Sequence, residues 1–185
     1  MANKLLLLLA IYVGKAIFFG LNLLGRTGTA LPGNIALRIY PDILKEMSGR
    51  CAKIAIITGT NGKTTTNNLI NHILWGKYSS IVSNLKGANM VQGVVTGFVV
   101  NFKNSYDWGI FEVDEGSVPV VSRYLTADYI VITNFFRDQL DRFGEVDNTI
   151  KMVYDSLKDT KTKIIVNADD PSNQKFSQLP NEKIY

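Results

Sequence analysis

In IAIITGTNGKTTT, residues 54–66, four apolar residues run without a break into Thr-Gly-Thr-Asn-Gly-Lys and three threonines. Ile54, Ala55, Ile56 and Ile57 suit a strand buried on both faces. Gly59 and Gly62 permit a turn whose backbone angles a side chain would block. Over residues 64–75 the pattern predicts a helix, with Leu69, Ile70, Ile73 and Leu74 spaced for one apolar face. The unpaired N–H groups at such a helix start point into the turn and favour an anion, most naturally a phosphate. Lys63 adds a point charge for the outer phosphates, and the Thr64 hydroxyl suits a magnesium ion. The general phosphate-loop pattern asks for glycine five positions before Gly62, where this chain has Ile57. An ordinary strand–turn–helix with a surface lysine is the bland alternative. Gly-Lys-Thr directly after an apolar strand favours nucleotide binding.

From Lys53 onward strands and helices alternate. Residues 80–82, 108–113, 129–133 and 163–166 read as strands, and residues 118–124 and 147–157 as helices. This alternation argues for an α/β fold, a parallel sheet with helices on both faces. Ligands of such sheets bind beyond the carboxyl ends of the strands. Residues 1–50 read as a helical and linker segment preceding a nucleotide-binding domain over residues 51–185. Within that segment, residues 25–33 (GRTGTALPG) read as a linker and residues 34–47 as a short helix pair broken at Pro41.

Three polar clusters fall where strands end. The first holds Glu112, Asp114 and Glu115, and the second Thr133, Asn134, Arg137, Asp138 and Gln139. The third holds Asn167, Asp169 and Asp170. Helix caps and turns explain many single Asp and Asn residues. Three clusters and a glycine loop at one sheet edge point to a nucleotide–metal site. His72 falls two turns along the helix from Lys63 and reads as a satisfied histidine away from that site.

Hydrophobic content of 46% and charged content of 19% fit a folded protein. The net charge of +4 is unevenly placed: residues 1–53 hold seven Lys/Arg against two Asp/Glu. An anionic membrane surface or substrate can use that excess. Nucleic acid fits less well, since no basic–aromatic cluster accompanies it. Cys51 is the single cysteine, so an internal disulfide and a cysteine metal cluster are excluded. Residues 5–24 are long and apolar enough to cross a bilayer, but Lys15 sits at their centre. On a helical wheel Lys4, Lys15 and Asn22 fall within about 20° of one another, a narrow polar stripe interrupted by Ile11 and Phe18. A helix packed on the protein or lying at a membrane surface fits best; a spanning anchor and a cleaved signal are the alternatives.

These residues together resemble the Mur ligase family, ATP-dependent enzymes that build the peptide of cell-wall precursors. Thr58 to Thr64 match that family's Thr-Gly-Thr-Asn-Gly-Lys-Thr phosphate loop, and Glu112 its strand-end glutamate. Thr133 to Asp141 match its Thr-Asn-x-x-x-Asp-x-Leu-Asp segment, and Asn167 to Asp170 the next strand end. Thr29 to Gly33 with Ala36, Leu37 and Pro41 resemble the isoglutaminyl branch, as do Ser83-Asn84, Gly87-Ala88-Asn89 and Asp138 to Arg142. In that branch a ligase subunit amidates the α-carboxyl of the second-position glutamate of lipid II, with ammonia from a partner glutaminase.

The resemblance implies a cytoplasmic ligase using ATP and Mg2+, working through an acyl phosphate, with surface contact at the inner face of the membrane. It assigns Lys63 and Glu112 to catalysis and Thr64 and Glu112 to the metal. Nucleotide binding falls to Gly59, Thr60, Asn61, Gly62, Lys63, Thr64, Thr65, Asn134, Arg137, Asp138, Asn167 and Asp169. Asn84 and Asn89 would face the phosphates or the acceptor. Gln139 stands where the amino-acid-adding Mur ligases carry a metal-binding histidine, and its neutral amide oxygen is a weaker ligand. The C-terminal ligase domain and the zinc ribbon of the branch lie outside residues 1–185, so an N-terminal portion of a longer protein is expected. Other readings are an amino-acid-adding or folylpolyglutamate-type relative and a non-catalytic nucleotide-binding scaffold at the membrane.

Overall fold

A computed structural model describes residues 2–85, 88–136 and 145–185. Three helices come first: α1 (Ala2–Leu23), α2 (Leu31–Ile39) and α3 (Ile43–Ser48). Strands and helices then alternate as β1 (Cys51–Thr58), α4 (Lys63–Trp75), β2 (Ile81–Ser83), α5 (Val91–Val100) and β3 (Tyr106–Glu112). They continue as α6 (Val118–Tyr124), β4 (Tyr129–Ile132), α7 (Glu145–Leu157), β5 (Lys163–Val166) and β6 (Lys183–Ile184). A 3-10 helix over Pro171–Gln178 joins the last two strands.

The strands form one six-stranded sheet in the order β2-β3-β1-β4-β5-β6, and every pairing is parallel. The strand carrying the glycine loop is therefore flanked on both sides, and its residues 54–58 are all buried. Chain direction reverses about β1: the crossover through α4 runs outward to β2, and those through α5, α6 and α7 run back across the sheet. Right-handed crossovers place α4 on one face and α5, α6 and α7 on the other. Helices cover both faces, as the alternation predicts.

The main core lies on the α5–α7 side. Ile54, Ile56, Phe111, Ile130, Ile132 and Ile164 supply its sheet layer, and Val94, Phe98, Val121 and Val153 its helix layer. Phe98 and Phe111 are fully buried with ring centroids 5.0 Å apart. Truncating either to alanine would cost about 3–5 kcal/mol.

Helix α4 departs from its expected orientation. The sheet-facing positions are Asn67 and Asn71, while Leu69 and Ile73 are 58% and 62% exposed. The amide of Asn71 donates to the Asn67 carbonyl, the Asn67 side chain and the Ser83 hydroxyl, which makes a polar inner face tolerable. Helix α5 is absent from the sequence reading. Residues 93–99 are all buried, so VQGVVTGFVV carries no amphipathic period to betray it. Helix α2 starts at Leu31 and takes in part of the expected linker, with Pro32 in the first turn, where its missing N–H costs nothing.

Of the polar stripe of α1, Lys4 and Asn22 are exposed and Lys15 is half-buried beside the Phe102 ring. Leu7, Ala10, Ile11 and Gly14 are buried against α2 and α5, and Ile11, inside that stripe, is fully covered. The outward face is apolar instead, with Leu5, Tyr12 and Leu23 exposed by 72%, 64% and 89%.

Candidate nucleotide-binding site

Strand β1 ends at Thr58 on the carboxyl edge of the sheet, and the chain turns at once into α4. Gly59 has φ +120°, and a Cβ there would strike the Thr133 hydroxyl and lie 2.7 Å from the Asn134 carbonyl oxygen. Gly62, at φ +82°, is the left-handed residue that opens α4. Both glycines answer a backbone need, as the sequence predicts.

The segment after β4 holds this loop in shape. The Thr60 N–H donates to the Asn134 carbonyl at 2.8 Å, and the Asn61 N–H to Asn134 Oδ1 at 3.0 Å. Asn134 Nδ2 returns a bond to the Asn61 carbonyl, also at 3.0 Å. The Phe136 N–H donates to the Thr60 hydroxyl, and Thr133 Oγ1 to the Thr58 carbonyl. Asn134 therefore builds the loop, and the N–H groups of Thr60 and Asn61 are occupied. Those of Gly62, Lys63, Thr64 and Thr65 remain without intrahelical partners, because the ladder of α4 starts with Thr66 donating to Gly62. Thr64 and Thr65 are exposed at that helix start, where the dipole favours negative charge.

Lys63 folds back over the loop. Its ammonium donates to the Gly59 and Thr60 carbonyls and lies 3.6 Å from Glu115 Oε2. Glu115, which the sequence reading places in a cluster without a role, is buried and is the acidic partner of the loop lysine. A glutamate in the first turn after a strand-end Asp was the available signal.

Glu112 ends β3 beside Ile57 of β1, next to the loop. Asn84, at the end of β2, fixes it: the Glu112 N–H donates to Asn84 Oδ1 at 2.9 Å, and Asn84 Nδ2 to the Glu112 carbonyl at 2.8 Å. Asn84 is buried and its amide is spent on backbone, so what it braces is the main chain at Glu112 and Ala88. The Asn89 carbonyl accepts from the Asp114 N–H at 2.7 Å, which brings the β2 loop to the same edge.

Asn167 and Asp169 lie exposed past β5, two strands from β1, with the Asp169 N–H donating to Asn167 Oδ1. They reach the site's margin, not its centre. Asp170 does more: its carboxylate caps Ser172 and accepts from the Phe135 N–H, tying this turn to the segment that braces the loop. Arg137, Asp138 and Gln139 lie outside the described residues. A cleft of about 360 Å³ opens beside the loop, lined by Thr60, Asp114, Glu115, Phe136, Asn148 and Met152 among others.

This arrangement fits a nucleotide phosphate and a divalent cation. Helix-start N–H groups without intrahelical partners, a lysine folded over the loop, a threonine hydroxyl and the strand-end Glu112 lie at one sheet edge. The fold and site define a phosphate-loop nucleotide-binding α/β domain. The Mur ligase middle domain matches residues 57–185, and the chain belongs to the Mur ligase family. It is 40% identical over 162 residues to the lipid II isoglutaminyl synthase (glutamine-hydrolyzing) subunit MurT of Staphylococcus aureus (strain COL), covering 88% of this chain and 37% of that protein. It is 38% identical over 166 residues to the subunit of the same name from Streptococcus pneumoniae (strain ATCC BAA-255 / R6), with the same coverage. Among solved structures, the MurF ligase of Thermotoga maritima in complex with ADP superposes with a TM-score of 0.66 at 19% identity, over 80% of this chain and 36% of that one. The chain thus spans a little over a third of the length of these curated relatives.

Proposed function

We propose that this chain supplies the ATP-binding domain of an ATP-dependent amide ligase acting on lipid II. The acceptor is the α-carboxyl of the second-position glutamate, and a partner glutaminase supplies ammonia. The carrying observation is the 40% identity to a MurT subunit over 88% of the chain. The loop geometry supports it.

In this reading a carboxylate oxygen attacks the terminal phosphorus of ATP, ADP leaves, and an acyl phosphate forms. Ammonia then attacks the acyl carbon and phosphate leaves as the amide forms. The first step brings an anion up to a polyanion, so positioning and charge neutralisation dominate. The N–H groups of Gly62 to Thr65 hold phosphate oxygens, and Lys63 leaves Glu115 to offset charge on the outer ones. Thr64 and Glu112 offer hard oxygen ligands to magnesium, which when bound neutralises phosphate charge. Asn134 keeps the loop in its receptive shape, and Asn84 keeps Glu112 at its edge. Asn89, Asn167 and Asp169 border the site, the last two on the side where a base or ribose would lie. The reaction belongs at the inner face of the membrane, where a lipid-linked acceptor meets cytoplasmic ATP.

The test uses the full reading frame with ATP, magnesium, lipid II and an ammonium salt in place of the glutaminase. Mass spectrometry reads conversion of carboxyl to amide. Removing a charge stabiliser of this kind costs roughly two to three powers of ten in rate, so Lys63→Ala should abolish detectable conversion. Conversion that persists in Lys63→Ala would sink the assignment. ATP binding without any conversion would return the acceptor to another branch of the family.

A further inference from the structure

We propose that α1 docks this domain on an anionic lipid surface through one face, while the opposite face holds the protein. At 100° per residue Leu5, Leu9, Tyr12, Ala16, Phe19 and Leu23 fall within about 40° of a single line along the helix. Leu9 and Phe19 are 50% and 58% exposed, less open than Leu5, Tyr12 and Leu23 but still half uncovered. The stripe therefore runs along most of a 22-residue helix, about 33 Å long, with each of its large side chains at least half exposed. A stripe of that length and size on one helix marks an interaction surface.

Charge selects the occupant. Residues 1–41 contain Lys4, Lys15, Arg26 and Arg38 and no Asp or Glu. Lys4 lies on one flank of the stripe, roughly 100° from its centre, where a long side chain reaches from an apolar layer to lipid phosphates, while the Lys15 ammonium lies 5.9 Å from the centroid of the Phe102 ring. Lys4, Arg26 and Arg38 are exposed, and each basic residue near an anionic bilayer adds attraction. A protein partner of ordinary composition gives no reason for forty-one residues without one acid. An anionic bilayer does.

The buried face fixes the geometry. Leu7, Ala10, Ile11 and Gly14 are held against α2 and α5, so the helix lies in the interfacial plane and does not span. A Cβ at Gly14 would meet Val99 of α5, so this face is closely packed. This inference stands on α1 and does not require the acceptor to be lipid II.

The experiment floats the full-length protein with vesicles of phosphatidylcholine alone or with 30 mol % phosphatidylglycerol (about one lipid in three), without ATP or acceptor. Binding to the anionic vesicles is expected, with little to the neutral ones. Two exposed-site variants, Leu9→Asp with Phe19→Asp, should weaken it by at least about tenfold, since each removes an apolar side chain from lipid. Lys4→Glu with Arg26→Glu should weaken it severalfold and flatten its loss with salt. Tyr12→Trp, which keeps the stripe apolar, should gain quenching by brominated lipid over the parent's Trp75 and Trp108. Absence of flotation overturns the proposal, as does flotation indifferent to the Leu9/Phe19 pair. A dimer in solution that those variants dissolve, without vesicle binding, assigns the stripe to a second copy and also overturns it. Amidation of a soluble acceptor analogue is read separately, so loss of one reading leaves the other standing.

Discussion

Asn84 and Glu112 clasp each other through the backbone of β3, amide oxygen to N–H at 2.9 Å and amide nitrogen to carbonyl at 2.8 Å. Because β2 is only three residues long, this clasp does part of the work of a longer ladder in fixing where Glu112 stands. Asn84→Leu keeps the volume and removes both bonds. Each buried group left unpaired costs about 1–3 kcal/mol, and a domain of this size loses roughly 2–4 °C of Tm per kcal/mol. A lowered Tm in thermal melts, together with a higher magnesium requirement for nucleotide binding, is the expected pair of results. A variant that melts with the parent would leave the clasp without a structural role.

Asn134 offers a cleaner separation of binding from stability. Its side chain is only partly buried and, among the described residues, bonds Asn61 alone, through both its oxygen and its nitrogen. Asn134→Ala should therefore leave Tm within a few degrees while ADP binding weakens about tenfold, because the loop must be ordered at the moment of binding. Isothermal titration beside a melt reads both numbers. Unchanged ADP affinity would show that the loop holds its shape without this brace.

Much of this was legible in the sequence where one physical cause dominates. The buried strand at Ile54 to Ile57 reads as an unbroken apolar run because neighbours flank it on both sides. Gly59 and Gly62 read as a loop because positive φ admits little else. Legibility fails where tertiary contacts override local pattern. Leu69 and Ile73 look like a core face, yet Asn67 and Asn71 take the sheet side through a hydrogen-bond set that reaches Ser83, twelve residues beyond Asn71. Helix α5 is buried on all sides and has no period to detect. The roles of Asn84 and Asn134 depend on bonds to residues 28 and 73 positions away, which no local spacing reveals.

Desolvation of half-buried Cys51 and buried Tyr106 ties stability to alkaline pH. Desolvation pushes the Cys51 thiol up from its ordinary 9.0 to about 12, and the Tyr106 hydroxyl up from 10.0 to about 12. Between pH 9 and 12 for Cys51, and between 10 and 12 for Tyr106, the unfolded chain gives up a proton that the folded chain keeps. Stability therefore falls as pH rises through that window and is fully present below it. Melts from pH 7 to 11 should show Tm steady to about pH 9 and then falling, and Cys51→Ala should delay the onset. The same burial should keep Cys51 slow towards iodoacetamide at pH 8 until the protein unfolds. Rapid alkylation of the folded protein would contradict the burial.

Lys63 and Glu115 form a nearly buried pair, each side chain little more than a tenth exposed, with 3.6 Å between ammonium and carboxylate. A phosphate arriving at the loop competes with that carboxylate for the lysine. Glu115→Gln removes the competitor and leaves a buried cation short of its counter-charge, which raises the loop's appetite for an anion. Metal-free ADP affinity should rise about three- to tenfold, a gain of the size expected for one partly screened charge pair. The gain should vanish in the Lys63→Met background, since the two residues act through a single interaction, and a double-mutant cycle by isothermal titration measures that coupling. If Glu115→Gln tightens ADP equally with and without Lys63, the carboxylate repels phosphate directly, and the pair does not restrain the lysine.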